Sequence, residues 1–314
     1  MKKRLLLQIV VPLIVVIGLG IAIPQIVTAT YFFYAAYIIL QYVILGSAWN
    51  LLGGYTGYVN FGSAGFFAAG AYVSAACLIF LKVNLLVAIL AGGIFSGLLG
   101  LILGYLTIRV RGIYFSISTI ALSVILQMLV LNSRALGGGM GLRFVRPAPP
   151  PLFSSYIEFL FALMLFLAFV VVMITRLIEK SWIGKSFRAI KDSEEAAESS
   201  GIATLRLKML ATVLSSFFMG IAGAPFPYYI TFLEPYSAMA FVLSVYAVAM
   251  PLVGGMGYWV GPVLGALLLG TIQQVVTVTI SSQLNLLILA CIILGFVILA
   301  PNGIMGLIKK ERKR

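Results

Sequence analysis

Long apolar runs, separated by short polar or glycine-rich breaks, follow one another along the whole chain. A helix needs about 20 apolar residues to cross a hydrocarbon core of roughly 30 Å, and most of the runs have that length. The pattern predicts an all-α, polytopic integral membrane protein that forms one transmembrane domain over residues 1–314. The predicted spans are ten, over residues 5–23, 31–52, 62–81, 85–106, 113–133, 155–177, 209–231, 239–256, 261–281 and 284–300.

Composition supports this fold class, because 62% of the residues are hydrophobic and only 9% are charged. A soluble domain of this size could not bury so much apolar surface. The first apolar run follows a basic start and is too long for a secretory signal, and it has no clear cleavage site. We therefore predict an uncleaved first span.

The net charge of +13 is unevenly distributed, with 17 of the 21 Lys and Arg residues in the N-terminus, the 107–111 loop, the 176–208 stretch and the tail. Basic loops stay on the cytoplasmic side, so both termini are predicted to be cytoplasmic. The cytoplasmic tail over 308–314 is expected to contact anionic membrane lipid. Aromatic residues do not alternate with these charges, so nucleic acid is not a predicted partner.

The chain is poor in residues that carry chemistry. It has no His, two Cys and eight acidic residues. Metal sites and nucleophilic triads draw on clusters of those residue types, so no catalytic residue and no metal site is predicted. No phosphate-binding Gly-x-x-x-x-Gly-Lys-Ser/Thr loop is present, so any ATP hydrolysis belongs to a partner. The chain is predicted not to be an enzyme and to bind no cofactor itself.

Two glycine-rich stretches, at 53–62 and 254–261, resemble each other weakly. Each follows an apolar run, opens with a Gly-Gly pair, includes a Tyr and resumes as a span. That pattern predicts broken helices in two related halves of the chain, although glycines also serve close helix packing. The glycines assigned a structural role are Gly53, Gly54, Gly57, Gly62, Gly254, Gly255, Gly257 and Gly261.

The first stretch is the candidate translocation path. Irregular backbone at membrane depth is tolerated where protein covers it or where it lines a water-filled cavity. Neutral hydrogen-bonding groups and amphipathic rings there would suit a zwitterion that is bound weakly, or they would satisfy freed backbone groups instead. The predicted path residues are Asn50, Tyr55, Thr56, Tyr58, Asn60 and Ser63.

The segment over 178–208 is the candidate docking loop. Asp192 is predicted to cap a short helix, with Glu195 three residues on as in a capping box, and Gly201 is predicted to end it. Ala196 and Ala197 would leave a patch small enough to enter a groove on another protein. The alternative is an ordinary solvated loop helix.

The sequence EAAESSG at 195–201 resembles the Glu-Ala-Ala-x-x-x-Gly coupling loop of bacterial ABC-importer permeases. In those proteins the loop engages the ATPase, although the usual downstream Leu-Pro is missing here. The resemblance implies ATPase-coupling roles for Arg188, Asp192, Glu195, Ala196, Ala197 and Gly201.

Five further motifs resemble the branched-chain amino acid ABC permease family, specifically its M-type subunit. They are NLLGGYTGYVNFG at 50–62, RGIYF at 111–115, GGGMG at 137–141, GGMGYWVGPVLGA at 254–266 and APNGIMGL at 300–307. The resemblance implies an importer in the bacterial inner membrane. Its implied partners are a second homologous permease, two cytoplasmic ATPases that hold ATP and Mg, and a periplasmic or lipid-anchored solute-binding protein.

The substrate stays open at this point. Family members commonly carry Gln, Ser and often His at the positions of Tyr58, Asn60 and Ser63, so amides, urea and organic acids stand beside branched-chain and other amino acids. A secondary carrier is disfavoured because ion coupling usually leaves carboxylates or His inside the membrane, where none is predicted. A neutral-solute channel is the other alternative, although neither a charge ring nor a repeated carbonyl filter occurs.

Overall fold

The computed structural model describes residues 2–27, 29–107, 112–279, 282–300 and 302–311. Arg109 and Arg111 of the predicted 107–111 loop lie outside these residues, as do Pro301 and the last three residues of the tail. The described helices are Lys2–Ile26 (α1), Thr30–Trp49 (α2), Ser63–Phe80 (α3), Leu85–Thr107 (α4), Ile113–Asn132 (α5), Tyr156–Lys180 (α6), Trp182–Asp192 (α7), Glu194–Ser199 (α8), Thr204–Gly223 (α9), Phe226–Ile230 (α10), Pro235–Ala238 (α11), Phe241–Gly254 (α12), Gly261–Thr279 (α13), Ser282–Leu299 (α14) and Gly303–Glu311 (α15).

The predicted fold class is confirmed. Within the described residues, eight helical stretches are long and apolar enough to cross a membrane, and they match the second to ninth predicted spans. The first and tenth predicted spans coincide with α1 and α14. These two helices contain the shorter apolar stretches Val10–Ile26 and Leu287–Phe296. The eight longer stretches are Thr30–Gly54, Ser63–Phe80, Leu85–Leu106, Ile113–Asn132, Tyr156–Lys180, Thr204–Ile230, Pro235–Gly254 and Gly261–Thr279.

Small residues set the distances between the inner helices. A Cβ atom added at Gly70 of α3 would lie 2.2 Å from the carbonyl oxygen of Gly220 in α9, and one added at Gly92 of α4 would lie 2.7 Å from the Gly70 oxygen. Helices in lipid associate through such close backbone contacts because the bilayer supplies no hydrophobic force between them. The three helices α3, α4 and α9 therefore form one tightly packed unit.

Helix α2 lies in the interior and contacts α6, α9, α12 and α13. Its side chains Phe33, Tyr37 and Trp49 are almost completely buried. Helix α5, by contrast, buries little of its surface and turns most of its apolar side chains outward.

The predicted span over 209–231 is not one continuous helix. Helix α9 ends at Gly223, and α10 begins at Phe226 after a turn that contains Pro225. Proline has no N–H to donate to the preceding turn, so it cannot continue α9, but it is accommodated at the start of a new helix. The predicted 239–256 span likewise corresponds to the short α11 followed by α12.

At the end of the bundle opposite the 178–208 segment, the Arg146 side chain and a short two-stranded sheet connect the loops. Arg146 donates to the carbonyl oxygens of Tyr228 and Tyr229 at 2.8 and 2.7 Å and to the Tyr34 hydroxyl at 2.7 Å. These bonds satisfy carbonyls at the C-terminus of α10 that have no partner within the helix. Beside them, the two-residue strands Leu142–Arg143 (β1) and Phe232–Leu233 (β2) pair antiparallel.

Candidate functional site

Both glycine-rich stretches meet the 178–208 segment at one end of the bundle. The first stretch lies between the end of α2 and the start of α3, and the second lies between α12 and α13. Residues Asn50–Gly54 extend α2 as a π-helix, and a non-helical break follows over 57–62. π-Helical turns inside longer helices often mark functional positions.

Asn50 joins the two stretches directly. Its side-chain nitrogen donates to the carbonyl oxygen of Tyr258 at 3.0 Å, and its side-chain oxygen accepts from the Gly257 N–H at 3.0 Å. One buried amide therefore satisfies a backbone donor and a backbone acceptor of an irregular loop about 200 residues away. This use of the side chain is the one that a buried Asn requires, because an unpaired amide is costly in an apolar interior.

Glu179, at the end of α6, is the second junction. Its carboxylate accepts from the Tyr55 hydroxyl at 2.8 Å, from the Trp259 N–H at 2.7 Å and from the Arg188 guanidinium at 2.7 Å. Arg188 also donates to the Gly257 carbonyl at 3.2 Å. Burial first, and the neighbouring carboxylate second, raise the pKa of Tyr55 well above its ordinary value, so its hydroxyl stays protonated and donates.

Glu194, Lys208 and Tyr58 form a closed cluster, which we call the 58–194–208 triad. Glu194 begins α8, Lys208 lies in the second turn of α9, and Tyr58 belongs to the 57–62 break. The Lys208 ammonium pairs with one Glu194 oxygen and donates to the Tyr58 hydroxyl at 3.1 Å, while that hydroxyl donates to the other Glu194 oxygen at 2.7 Å. The ammonium also lies 5.1 Å from the centre of the Tyr58 ring.

The short helix predicted between Asp192 and Gly201 is present as α8, and a second short helix, α7, precedes it in the docking segment. Asp192 is the last residue of α7, and Ser193 caps α8 by accepting from the Ala196 N–H at 3.3 Å. The predicted capping role of Asp192 is therefore wrong by one residue, because the chain leaves helical geometry at Ser193. Gly201 has a φ of +79° and ends the segment as predicted.

The two alanines of the segment have opposite environments. Ala196 is exposed, as is Glu195, whereas Ala197 is 3% exposed and belongs to the interior. The predicted patch formed by both alanines is thus wrong for Ala197, because side chains at adjacent positions of a helix point in different directions. The outward face near α8 is formed by Glu195 and Ala196, with Arg188, Asp192 and Gly201 also exposed.

The predicted path residues separate into two groups. Thr56 and Tyr58 line a cavity of about 530 Å³ at the 178–208 end, together with the start of α5 and the end of α7. Asn50, Tyr55, Asn60 and Ser63 are buried within the protein. Of these, Asn50 and Tyr55 have the partners described above, whereas the Asn60 side-chain nitrogen and the Ser63 hydroxyl have none in the described structure.

Sequence reasoning missed Glu179, Glu194 and Lys208 as functional candidates. Glu179 and Lys208 lie next to predicted span boundaries and Glu194 lies inside the predicted docking loop, and at all three places a solvated side chain is the ordinary expectation. The signal that could have found them is the pairing of acidic and basic residues on the same side of the predicted membrane. Among the described residues, no group of three or more His, Cys, Asp or Glu side chains could hold a metal ion.

Comparison with known proteins identifies one matching family and several related transport proteins. A family model described as "Branched-chain amino acid transport system / permease component" matches residues 31–300. The high-affinity branched-chain amino acid transport system permease protein LivM of Escherichia coli strain K12 is 26% identical over 297 residues, which cover 87% of this chain and 69% of LivM. LivM of Salmonella typhimurium strain LT2 has the same identity and coverage.

A more distant relative comes from an archaeon. The probable branched-chain amino acid transport permease protein LivH of Methanocaldococcus jannaschii is 24% identical over 145 residues, covering 44% of this chain and 45% of LivH. No solved structure matched the chain. Because the family model covers most of the sequence and agrees with the multispanning helical fold, the chain belongs to the permease component family of branched-chain amino acid transport systems.

Proposed function

We propose that this transport permease is the membrane-spanning subunit of an ATP-binding-cassette importer that moves an amino acid, with branched-chain amino acids as the first class to test. Movement through the membrane would follow alternating access driven by partner ATPases. The observation that carries the proposal is the form of the 178–208 segment. Its outer face is exposed, and its inner face is bonded to the two glycine-rich stretches at the ends of the spans.

The outer face suits a protein partner. Helices α7 and α8 present exposed Trp182, Glu195 and Ala196 on one side and bury Phe187 and Ile190 on the other, so one side is anchored and the other faces outward. A short helix with this division transmits force well, because its buried side chains prevent it from sliding over the bundle. We infer that an ATPase binds here, which places this end and both chain termini in the cytoplasm of a bacterial inner-membrane protein.

The rest of the proposed assembly is supported by the similarity to permeases of branched-chain amino acid transport systems. We propose a second homologous permease beside this chain, two cytoplasmic ATPases that bind ATP and Mg, and a periplasmic or lipid-anchored solute-binding protein on the outer face. The cavity next to Thr56 and Tyr58 is the proposed inner mouth of the path. Asn60 and Ser63 are proposed to meet the solute when the 57–62 break rearranges.

The proposal is tested by ATP hydrolysis. The chain is co-expressed with its neighbouring ATPase, permease and binding-protein genes, and the complex is reconstituted in lipid. Hydrolysis should rise several-fold when binding protein loaded with leucine, isoleucine or valine is added. A complex that takes up solute without ATP or binding protein would overturn the importer assignment in favour of a channel or secondary carrier.

The docking face has its own test. Glu195→Lys reverses an exposed charge next to Ala196, so co-purification of the ATPase should fall at least about tenfold, which corresponds to roughly 1.4 kcal/mol of binding energy. Arg143→Glu, an exposed charge reversal at the opposite end, is the matched control and should leave ATPase binding unchanged. Equal ATPase binding in both variants would contradict the assigned face.

A further inference from the structure

The 58–194–208 triad connects three segments of the protein that have different roles. Glu194 starts the docking helix α8, Lys208 lies in the second turn of α9 in the tightly packed α3–α4–α9 unit, and Tyr58 lies in the 57–62 break. Each of the three side chains contacts the other two. At the triad, the docking helix α8, the α3–α4–α9 unit and the 57–62 break therefore contact one another.

The charges in the triad are buried. The Lys208 side chain is 6% exposed and that of Glu194 is 13% exposed. A buried ion pair is a poor way to gain stability, because removing both charges from water costs about as much as their attraction returns. Its best-attested use is to fix one arrangement among several. A pair of this kind between a docking helix and a break therefore points to control of geometry.

The position of α8 depends on its contacts with the rest of the protein. The helix has six residues, which is too short to be stable in isolation, so its position is set by tertiary bonds. Three such contacts among the described residues are the buried side chain of Ala197, the Thr204 hydroxyl bonded to Glu198, and the triad. Of the three, the triad is the one that reaches the 57–62 break.

The break passes the connection on to α5. The Ser116 hydroxyl donates to the Val59 carbonyl at 2.8 Å, and the Phe61 N–H donates to the Thr119 hydroxyl at 3.0 Å. The Tyr58 ring also packs edge-on against Phe115, with 5.2 Å between ring centres. Of the eight candidate spans in the described residues, α5 buries the smallest share of its residues within the chain, so it can shift with little disruption of the core.

We propose that the 58–194–208 triad is the positioning device by which movement of the ATPase-bound α8 reaches the 57–62 break and, through it, α5. The inference rests on the proposed function and adds to it the route inside this chain. Glu194 and Lys208 act through Tyr58, so they are positioning residues and do not contact the solute. Coupling of this kind requires an element with two arrangements that both partners bias, and the break is that element.

The test separates docking from coupling in the reconstituted complex. Glu194→Gln removes the ion pair but keeps the shape of the side chain. The ATPases should stay bound, while stimulation of hydrolysis by loaded binding protein and solute uptake should fall about tenfold or more. Glu198→Gln is the matched control, because it weakens a bond from the same helix to α9 that does not reach the break. It should keep wild-type stimulation.

Two further variants keep the result interpretable. Tyr58→Phe removes one hydroxyl and retains the ring contacts, so it tests the route even if Glu194→Gln does not fold. It should lower stimulation several-fold. The double variant Glu194→Lys with Lys208→Glu restores an ion pair of reversed polarity and should recover part of the coupling.

The outcomes distinguish the two proposals. If the wild-type complex binds no ATPase or is not stimulated, the proposed function fails. If the wild-type is coupled but Glu194→Gln or Tyr58→Phe keeps full stimulation, or if Glu194→Gln releases the ATPase and Tyr58→Phe has no effect, the triad is not the route.

Discussion

The two glycine-rich stretches share a sequence pattern and one end of the bundle, yet they are held differently. In residues 53–57 of the first stretch, the atoms nearest to an added Cβ belong to side chains, namely those of Trp49, Asn50 and Lys191, and only at Gly62, where α3 begins, would it meet a backbone oxygen, that of Thr119 at 2.3 Å. At the second, a Cβ added at Gly254 would lie 1.7 Å from the Gly261 carbonyl oxygen, and one at Gly261 would lie 2.0 Å from the Gly255 oxygen.

The difference indicates different tasks for similar sequences. Contacts to side chains can be exchanged when a segment moves, because a side chain can change its rotamer. Backbone atoms have no such freedom, so the close packing of Gly254 on Gly261 sets the distance between α12 and α13. The second stretch is therefore a fixed connection of the α12–α13 pair, whereas residues 53–57 of the first stretch are joined to the docking segment by side-chain bonds that can re-form.

The largest expected effect breaks the fixed stretch. Gly254→Ala forces a methyl group into backbone atoms of Gly261, so the free energy of unfolding should fall by more than about 3 kcal/mol. Little folded protein should reach the membrane, as measured by fluorescence-detected size exclusion in detergent. Gly295→Ala, in α14 with no atom within 4 Å of the added Cβ, is the control and should behave as wild type.

The next effect removes the carboxylate that both stretches share. Glu179→Ala deprives Tyr55, Trp259 and Arg188 of their common acceptor and should lower the free energy of unfolding by about 3 kcal/mol, because the Tyr55 hydroxyl and the Trp259 N–H lose their partner inside the protein. Arg188→Ala should cost less than about 1 kcal/mol, because the Arg188 side chain is 45% exposed. Thermal unfolding in lipid nanodiscs measures both, and equal losses would show that the guanidinium alone matters.

A smaller effect separates the stretches from each other. Asn50→Ala leaves the Gly257 N–H and the Tyr258 carbonyl without their side-chain partner, which should cost about 2 kcal/mol. Amide hydrogen exchange at residues 255–259 should quicken. Asn132→Ala removes a bond within one turn of α5 and is the control. Unchanged exchange in Asn50→Ala would mean that the second stretch holds its shape without the first.

The smallest effect concerns backbone conformation alone. Gly57 has a φ of +81°, and a Cβ there would lie 3.3 Å from the Lys191 side chain, which can move. Gly57→Ala should therefore cost about 1 kcal/mol through left-handed strain. Because the 57–62 break would also be stiffer, the uptake rate should fall by a larger fraction than the loss of folding stability alone would explain. Uptake by proteoliposomes, set beside the melting temperature, measures that ratio, and proportional losses would remove the argument for a mobile break.

Much of the fold could be predicted because the bilayer imposes it. Apolar runs of the required length must be helical, so eight predicted spans correspond to described helical stretches. Local turn chemistry explains why Gly201 was identified correctly as a helix end. The α9–α10 interruption was missed although Gly223, Pro225 and Pro227 signal it, because hydropathy continues through the turn.

The candidate site was only partly predictable. Motifs identified the residues near the break and the docking segment, but hydrogen bonds between segments 80 to 208 residues apart depend on tertiary packing. The cap at Ser193 instead of Asp192 shows the same limit on a small scale, since both residue types are good caps and packing of α7 decides between them. Glu179 and Lys208 carry no local signal of their roles.

Gly201 has a consequence for the handedness of the chain. Its φ of +79° lies in the left-handed region, where an L-residue is strained. A D-alanine at this position, introduced by semisynthesis, would favour that backbone conformation and would narrow the unfolded ensemble. At the end of the docking segment, glycine therefore takes the role of a D-amino acid, which ribosomes do not supply.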